Sequence, residues 1–178
     1  MDLINLLFVS FWFILPAYTA NAMACIFGGG KPVDLNKNFI DQKRLIGNGV
    51  TYRGTFFGVF FGIVTAIIQY LVSNLGFKFI LSFNFTLIEY VIIGFLLSFG
   101  ALFGDMFGSF LKRRLGFKQG QSAPVLDQIT FIVFALIFVS YYYLVPSKIS
   151  ITLLILSPVV HILSNIIAYK LGLKKVWW

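Results

Sequence analysis

Residues 104–128 read GDMFGSFLKRRLGFKQGQSAPVLDQ, one of two long polar stretches in an otherwise apolar chain. The stretch holds two of the chain's six carboxylates and four basic residues between them. If the helix before it continues to position 114, the residues four, seven and eight positions after Asp105 share one face with it. The residues of this face are Asp105, Ser109, Lys112 and Arg113. The glycines and proline of residues 116–124 can turn the chain back, so that Asp127 meets Asp105. Two carboxylates beside a basic cluster suit Mg²⁺ and a polyphosphate.

The composition around this stretch excludes an ordinary soluble domain. Hydrophobic residues make up 59% of the 178 residues and charged residues only 11%. Because a spanning helix needs about 20 apolar residues, we predict an all-α integral membrane protein with a single domain, 1–178, of five transmembrane helices. The predicted spans are about 3–27, 54–74, 83–104, 129–145 and 150–169. Residues 28–53 and 105–128 are then the polar loops.

The distribution of basic residues predicts the orientation of these spans. Twelve of the 14 Lys and Arg residues lie in the two polar loops and the C-terminal tail, whereas the opposite loops hold only Lys78 and Lys148. By the positive-inside rule the N-terminus is outside, and the C-terminus and candidate site are cytoplasmic. This bias and anionic lipid account for the net charge of +8 without a nucleic-acid partner. We therefore expect a multi-pass protein of the plasma membrane.

Polar residues inside the predicted spans are further candidates. Pro16 frees a carbonyl and bends the first span, and Asn21 follows about one turn later. Asn21 is interpreted either as an interhelical hydrogen-bond partner or as a residue that lines a pocket. In the last span, His161 and Asn165 share a face. A lone histidine there is typical of a hydrogen-bonded core, and Asn165 is a pocket candidate.

The residues before the second span resemble an anion site. Residues 47–54, GNGVTYRG, precede a helix N-terminus, where unpaired amides and the helix dipole favour a negative charge. The pattern therefore indicates an anion contact at the start of the second span. Residues 28–31, GGGK, lack the strand and the Ser or Thr of a P-loop, so a Walker fold is rejected.

Glycine recurs at every fourth position over residues 54–62 and again over residues 100–108. Such stripes are typical of generic helix contacts. Because the two stripes lie at the same predicted depth, we expect them to pack against each other. That contact would bring Thr51 and Arg53 next to Asp105.

The motif Ser109-Phe-Leu-Lys112-Arg113 fits the opening of the CDP-lipid synthase (phosphatidate cytidylyltransferase) signature, and the chain resembles the archaeal branch of that family over nearly its full length. The supporting positions are 15–18 with Asn21, 49–54, 104–105, 123–124, 127–128, Pro158, His161 and Asn165. Two features depart from the family pattern. Gln119 and Gln128 replace aspartates of the broader signature, so the second metal carboxylate must come from elsewhere, with Asp105 the obvious donor. Val50 replaces a lysine that relatives usually have.

The resemblance implies an enzyme that transfers CMP from CTP to 2,3-bis-(O-geranylgeranyl)-sn-glycerol 1-phosphate, giving CDP-archaeol and pyrophosphate. It implies Mg²⁺ on Asp105 and Asp127. The implied phosphate contacts are the basic residues Lys112, Arg113, Arg44 and Arg53. The implied hydrogen-bonding residues are Thr51, Ser109 and Asn21, with Gly54 and Asn165 also at the substrate.

Two further expectations concern the alternative function and the lipid. A small transporter or channel would also show broken helices and intramembrane polar residues, but its polar groups would lie near the midplane and in an inverted repeat. Neither pattern is found in this sequence. For the enzyme, the lipid chains are expected in a groove between helices, with Asn21 near its polar end and Ala17 and Ala20 along it.

Overall fold

The computed structural model describes residues 2–75, 83–121, 123–170 and 172, without the side chains of 124, 125, 161, 164, 165 and 168. Across this part of the chain, the regular structure is helical. The helices are α1 (Leu3–Ile26), α2 (Tyr52–Asn74), α3 (Leu87–Arg114), α4 (Pro124–Ser140) and α5 (Ser147–Lys170). Five helices in this order confirm the all-α prediction.

The starts of the helices follow from local chemistry. Three helices begin after a residue whose side-chain oxygen accepts a backbone N–H of the first turn, namely Asp2, Thr51 and Thr86. Thr86 and Glu89 form a reciprocal capping box. Helix α4 starts at Pro124, because proline has no N–H to leave unbonded in a first turn.

The largest difference from the predicted bounds is at the end of α3. This helix has 28 residues and is therefore about 42 Å long at 1.5 Å per residue, more than the roughly 30 Å of a bilayer core. Its polar end, residues 105–114, continues the helix, as the shared face of Asp105 to Arg113 requires, although these residues were also counted in the loop 105–128. The three basic residues of its last turn interact favourably with the helix dipole.

The other bounds differ by one to five residues from the predicted spans. Helix α4 covers 124–140 instead of 129–145, because Pro124 starts it earlier and the chain leaves the helix at Tyr141. Helix α3 starts at 87 instead of 83, after the Thr86 cap, and α2 starts at 52 instead of 54, after the Thr51 cap. Helix α1 ends at 26 instead of 27, and α5 covers 147–170 instead of 150–169.

In the part of the chain that the structure describes, three helices, α1, α2 and α3, are long and apolar enough to cross a membrane. Within the described residues, shorter apolar helical stretches cover 126–140 and 147–160. Helix α3 packs against α1, α2 and α4, and α5 packs against α1 and α4. The shared core contains Ile14, Leu97, Phe131 and Leu153, one side chain from each of α1, α3, α4 and α5.

The expectation that the two glycine stripes pack against each other is wrong. Gly58 and Gly62 of the α2 stripe approach the α3 side chains of Leu102 and Ser98. The whole α2 stripe lies against α1, where an added Cβ would meet a backbone carbonyl oxygen at each glycine. These contacts are Gly54 to Ala24 at 2.8 Å, Gly58 to Ala20 at 2.8 Å and Gly62 to Pro16 at 3.0 Å. The physical reason is that α1 presents Ala20 and Ala24, followed by Gly28 just beyond the helix end, and glycines can pack closely against these small residues.

The α3 stripe faces α4 instead. A Cβ at Gly104 would meet the Thr130 carbonyl oxygen and, at 3.0 Å, the Phe131 Cα. A Cβ at Gly108 would lie 2.7 Å from the Thr130 hydroxyl. Because the stripes have different partners, the contact expected to bring Thr51 and Arg53 next to Asp105 is not formed. The same geometry presses the first turns of α4 against the polar end of α3.

Pro16 leaves one carbonyl of α1 without its helical donor, and the structure identifies the partner of that carbonyl. Proline at 16 has no N–H for the carbonyl of Trp12, and the side-chain amide of Gln69 donates to that oxygen at 2.5 Å. The Ser98 hydroxyl, which has one hydrogen to donate, lies 2.6 Å from the Gly94 carbonyl oxygen and 3.3 Å from that of Pro16. Buried side chains of α2 and α3 therefore satisfy the backbone of α1.

Ala17 and Ala20 do not line a lipid groove as expected. Both side chains are 0% exposed, Ala17 in the shared core and Ala20 at the α2 contact. Both alanines are buried between closely packed helices, and such close packing requires small side chains. Asn21, by contrast, is half-buried.

Candidate active site

An ion pair joins the end of α3 to the start of α4. The Lys112 ammonium lies 2.7 Å from Oδ1 of Asp127, with the lysine side chain 13% and the aspartate side chain 24% exposed. Oδ2 of the same aspartate accepts a hydrogen bond from the Ala123 backbone N–H at 3.2 Å. The close glycine contacts between α3 and α4 hold the two backbones in this position. The predicted return of the chain to the α3 face is therefore observed.

The same face of α3 carries the other residues predicted there. Since α3 is one helix through Arg114, the spacing of Asp105, Ser109 and Lys112 places them along one side of it. Asp105 and Ser109 are half-buried. Arg113 follows on this side, and its Nε is buried without a hydrogen-bond partner among the described residues. The face thus combines a carboxylate, a hydroxyl and two cationic groups.

Residues 27–51 form the segment beside this helix end, and Arg114 docks them there. One guanidinium nitrogen of Arg114 donates to the backbone carbonyls of Arg44 and Leu45, both at 3.1 Å. The other lies 3.3 Å from the Asp41 carboxylate. In return, the Lys43 ammonium donates to the Arg114 carbonyl at 3.1 Å. The segment is therefore fixed to the last turn of α3 by donors on α3 and by a donor on the segment itself.

Aromatic rings complete this docking contact. The Arg114 guanidinium lies 3.9 Å from the ring centroid of Phe110 and 4.7 Å from that of Phe39. The two rings meet edge to face at 5.3 Å. Cation–π and aromatic contacts of this kind add to the hydrogen bonds. The terminal nitrogens of Arg114 are consequently engaged within the protein, whereas its Nε, like that of Arg113, is buried without a hydrogen-bond partner among the described residues.

Asp34 organises the segment from inside. Its side chain is fully covered and accepts two hydrogen bonds from Arg44, at 2.8 and 2.9 Å. It also accepts the backbone N–H groups of Gly47 at 2.8 Å, Ile46 at 3.0 Å and Asn36 at 3.1 Å. Burial disfavours the charged carboxylate, but the guanidinium and these N–H groups outweigh it and hold the pKa of Asp34 well below its usual range.

The structure gives several predicted substrate contacts a local partner. Arg44 bonds Asp34 and also the side-chain oxygens of Asn36 at 2.6 Å and Asn48 at 2.7 Å. Arg53 donates to the Phe27 carbonyl at the end of α1, at 2.7 Å. These contacts place Arg44 inside the segment 27–51, and they tie Arg53, in the first turn of α2, to the start of that segment.

The remaining predicted contacts lie at a helix start or in the membrane helices. Thr51 caps α2 by accepting the Gly54 N–H at 3.1 Å, and Gly54 packs against α1. Asn21 lies on α1, half-buried. The backbone of Asn165 belongs to α5, but its side chain is outside the described part of the structure.

Two residues that organise the site were not among the sequence candidates, Asp34 and Arg114. A signal for Asp34 exists in the run Asp34-Leu35-Asn36, because Asp and Asn bond nearby backbone and tolerate positive φ. Leu35 and Asn36 have φ of 50° and 63°. For Arg114, helical spacing alone shows that three consecutive residues cannot share one face, so one of the three basic residues had to point elsewhere.

The donor set at the helix ends suits a hard cation bound together with a phosphate ligand. Asp105 and Asp127 supply carboxylate oxygens, and the described residues contain no group of three or more His, Cys, Asp or Glu that would form an all-protein cage. Mg²⁺ usually takes one or two carboxylates and completes its shell with water and substrate phosphates.

Comparison with known proteins is consistent with this arrangement. The family model described as "CarS-like: CDP-archaeol synthase" matches residues 3–178. CDP-archaeol synthase of Methanococcus maripaludis strain S2 is 62% identical over all of both chains, and that of Methanocaldococcus jannaschii is 53% identical over 98% of each chain. A solved structure described as "Structural insight into an intramembrane enzyme for archaeal membrane lipids biosynthesis" aligns with a TM-score of 0.74. It is 32% identical and covers 88% of this chain and 92% of its own.

The apolar helices, the polar site at their ends and this structural likeness define a membrane-embedded enzyme. The chain belongs to the CDP-archaeol synthase family. The resemblance noted from the Ser109 to Arg113 motif is confirmed.

Proposed function

We propose that this enzyme transfers CMP from CTP to 2,3-bis-(O-geranylgeranyl)-sn-glycerol 1-phosphate, giving CDP-archaeol and pyrophosphate. The observation that carries the proposal is the Lys112–Asp127 pair, which joins a phosphate-binding base and a metal-binding acid across the α3–α4 contact. Family membership supports an enzyme over the transporter considered from the sequence.

The chemistry requires charge neutralisation and positioning more than acid–base catalysis. A phosphate monoester has a second pKa of about 6, so the lipid phosphate is largely dianionic at neutral pH and is already a nucleophile. Lys112 and Arg113 would neutralise the CTP phosphates and the departing pyrophosphate. Ser109, Thr51 and Arg53 would contribute further contacts, and Arg44 would support them from the docked segment.

We include Mg²⁺ as the cofactor, held by Asp105 and Asp127 on the triphosphate. The ion would supply a Lewis acid that withdraws charge from the phosphate under attack. The two carboxylates are the hard, anionic oxygen ligands that it prefers. The Asp127 side chain engages Lys112, so a metal ion at Oδ1 would compete with this lysine.

The lipid would remain in the bilayer while CTP enters from water. We propose five spans with the N-terminus outside and the site at the cytoplasmic face of the plasma membrane, as the basic loops indicate. Removing isoprenoid chains from the bilayer would cost about 0.8 kcal/mol per CH₂. The chains would therefore lie between helices near the half-buried Asn21 and near Asn165, on walls other than Ala17 and Ala20.

A transfer assay tests the reaction. Detergent-purified enzyme with CTP labelled at the α-phosphate, Mg²⁺ and the diether lipid phosphate should move the label into the organic phase and release one pyrophosphate per product. Chelation of Mg²⁺ should stop the transfer, and CTP labelled at the γ-phosphate should leave the lipid unlabelled. Release of pyrophosphate without a labelled lipid, or no CTP binding at all, would refute the proposal.

A further inference from the structure

Both oxygens of the Asp127 carboxylate are engaged within the protein. Oδ1 contacts the Lys112 ammonium at 2.7 Å, and Oδ2 accepts the Ala123 N–H at 3.2 Å. The pair is only partly exposed, so its two charges compensate each other in a site of reduced hydration. A divalent cation at this carboxylate would compete directly with the lysine.

The surroundings allow the lysine to move without moving the helices. The backbones of α3 and α4 are fixed by the contacts of Gly104 and Gly108 with Thr130 and Phe131. Lysine carries a compact charge on a flexible four-carbon stem, and rotation of that stem relocates the charge by several ångströms. Arg114, two residues further on, is held by five partner groups and has no such freedom.

We propose that Lys112 and the divalent cation exchange at Asp127. In the nucleotide-free enzyme the ammonium neutralises the carboxylate. When CTP arrives, the cation takes the carboxylate and Lys112 turns to the CTP phosphates. This inference rests on the proposed function, because it assigns the nucleotide as the partner that receives the displaced lysine.

The exchange makes metal and nucleotide binding mutually dependent. Without nucleotide, the cation must displace the lysine and leave its charge without a counter-ion, so the metal binds weakly. With nucleotide, the phosphates accept that charge, and the metal binds more tightly. By linkage, the metal strengthens CTP binding by the same factor. The carboxylate and the lysine are then both compensated in the ligand-free state and in the state with metal and nucleotide bound, and the state with metal alone is disfavoured.

The test measures Mn²⁺ binding to nucleotide-free enzyme by electron paramagnetic resonance, which does not depend on turnover. We expect Lys112→Met to bind Mn²⁺ about tenfold more tightly than the wild type, a factor typical of coupled sites. Lys112→Arg keeps the positive charge and should show no gain. Lys118→Met removes an exposed charge outside the pair and should behave as wild type.

Two further variants separate displacement from a general field effect. Arg113→Met removes the same charge one residue away and should give a clearly smaller gain than Lys112→Met. Asp127→Asn in the Lys112→Met background should abolish the gain. The inference is overturned if Lys112→Met binds Mn²⁺ no more tightly than wild type, if Arg113→Met matches it, or if the gain survives Asp127→Asn. Cytidylyl transfer by the wild type would stand in each of these cases, so the two proposals fail separately.

Discussion

At the scale of single residues, the three consecutive basic residues that end α3 have three different environments. Lys112 pairs with a carboxylate of α4, Arg113 has a buried Nε without a partner among the described residues, and Arg114 docks the segment 27–51. Their identical charge in the sequence therefore corresponds to three separate roles. Of these three residues, Lys112 and Arg113 are the candidates for phosphate contact.

The two carboxylates of the site are expected to be essential. Asp105→Asn and Asp127→Asn each replace an anionic oxygen ligand of a hard cation by a neutral amide of similar shape. We expect each to lower cytidylyl transfer by about 100-fold or more, with little change in the melting temperature. The measurements are initial rates at saturating CTP and thermal unfolding in detergent. Activity within threefold of wild type would remove that residue from the metal site.

Asp34 makes a prediction about pH. Its folded-state pKa is depressed, so its stabilising contribution is complete above the unfolded value of about 4 and is lost as pH falls below that value. Hydrogen exchange at Gly47 and Ile46, corrected for the intrinsic rate, should show protection at pH 7 that declines below pH 4. Asp34→Asn should lack this protection already at pH 7. Asp41→Asn, at a surface ion pair, should retain it.

At the scale of helices, the α3–α4 contact determines whether the site forms. A Cβ at Gly104 would meet the Thr130 carbonyl oxygen, so Gly104→Ala must push α4 away and separate Lys112 from Asp127. We expect a loss of roughly 1–3 kcal/mol in stability and a large loss of activity. Gly49→Ala is the matched control, because nothing lies within 4 Å of its added Cβ. Equal melting temperatures for the two variants would contradict this account of the contact.

Periodicity and spacing were sufficient to predict the helices and the shared face of Asp105, Ser109 and Lys112, because both depend on local geometry. The pairing of the glycine stripes was not predictable in the same way. A stripe of glycines can pack closely against any other stripe of small residues. In this protein the α2 glycines pack against Ala20, Ala24 and Gly28, at the end of α1. Asp34 was missed for a related reason, since its partners come from turns with positive φ that spacing does not encode.

At the scale of the whole molecule, the orientation in the membrane decides whether CTP can reach the site. With Cys25 replaced by alanine, single cysteines at Lys118 and Lys148 probe opposite ends of α4, and both positions are exposed. An impermeant maleimide added to intact cells should label position 148 and spare position 118. Lysis should make both reactive. Labelling of 118 in intact cells would place the site on the outer face.

The hydrogen bond from Gln69 to the Trp12 carbonyl has a consequence for biogenesis. Helix α1 is synthesised before α2 and carries a carbonyl that Pro16 leaves without its helical donor, a defect that costs several kcal/mol in lipid. Because the donor arrives only with α2, we expect the two helices to leave the insertion machinery as a pair.

Gln69→Leu should therefore leave the Trp12 carbonyl of α1 without a hydrogen-bond donor and expose the nascent chain to degradation. Pulse-chase labelling should show slower acquisition of protease resistance for this variant than for Ser73→Ala, which alters the same helix one turn later. Indistinguishable rates would mean that α1 is tolerated alone. Because of Pro16, the hydrogen bonding of α1 is complete only after α2 has been synthesised.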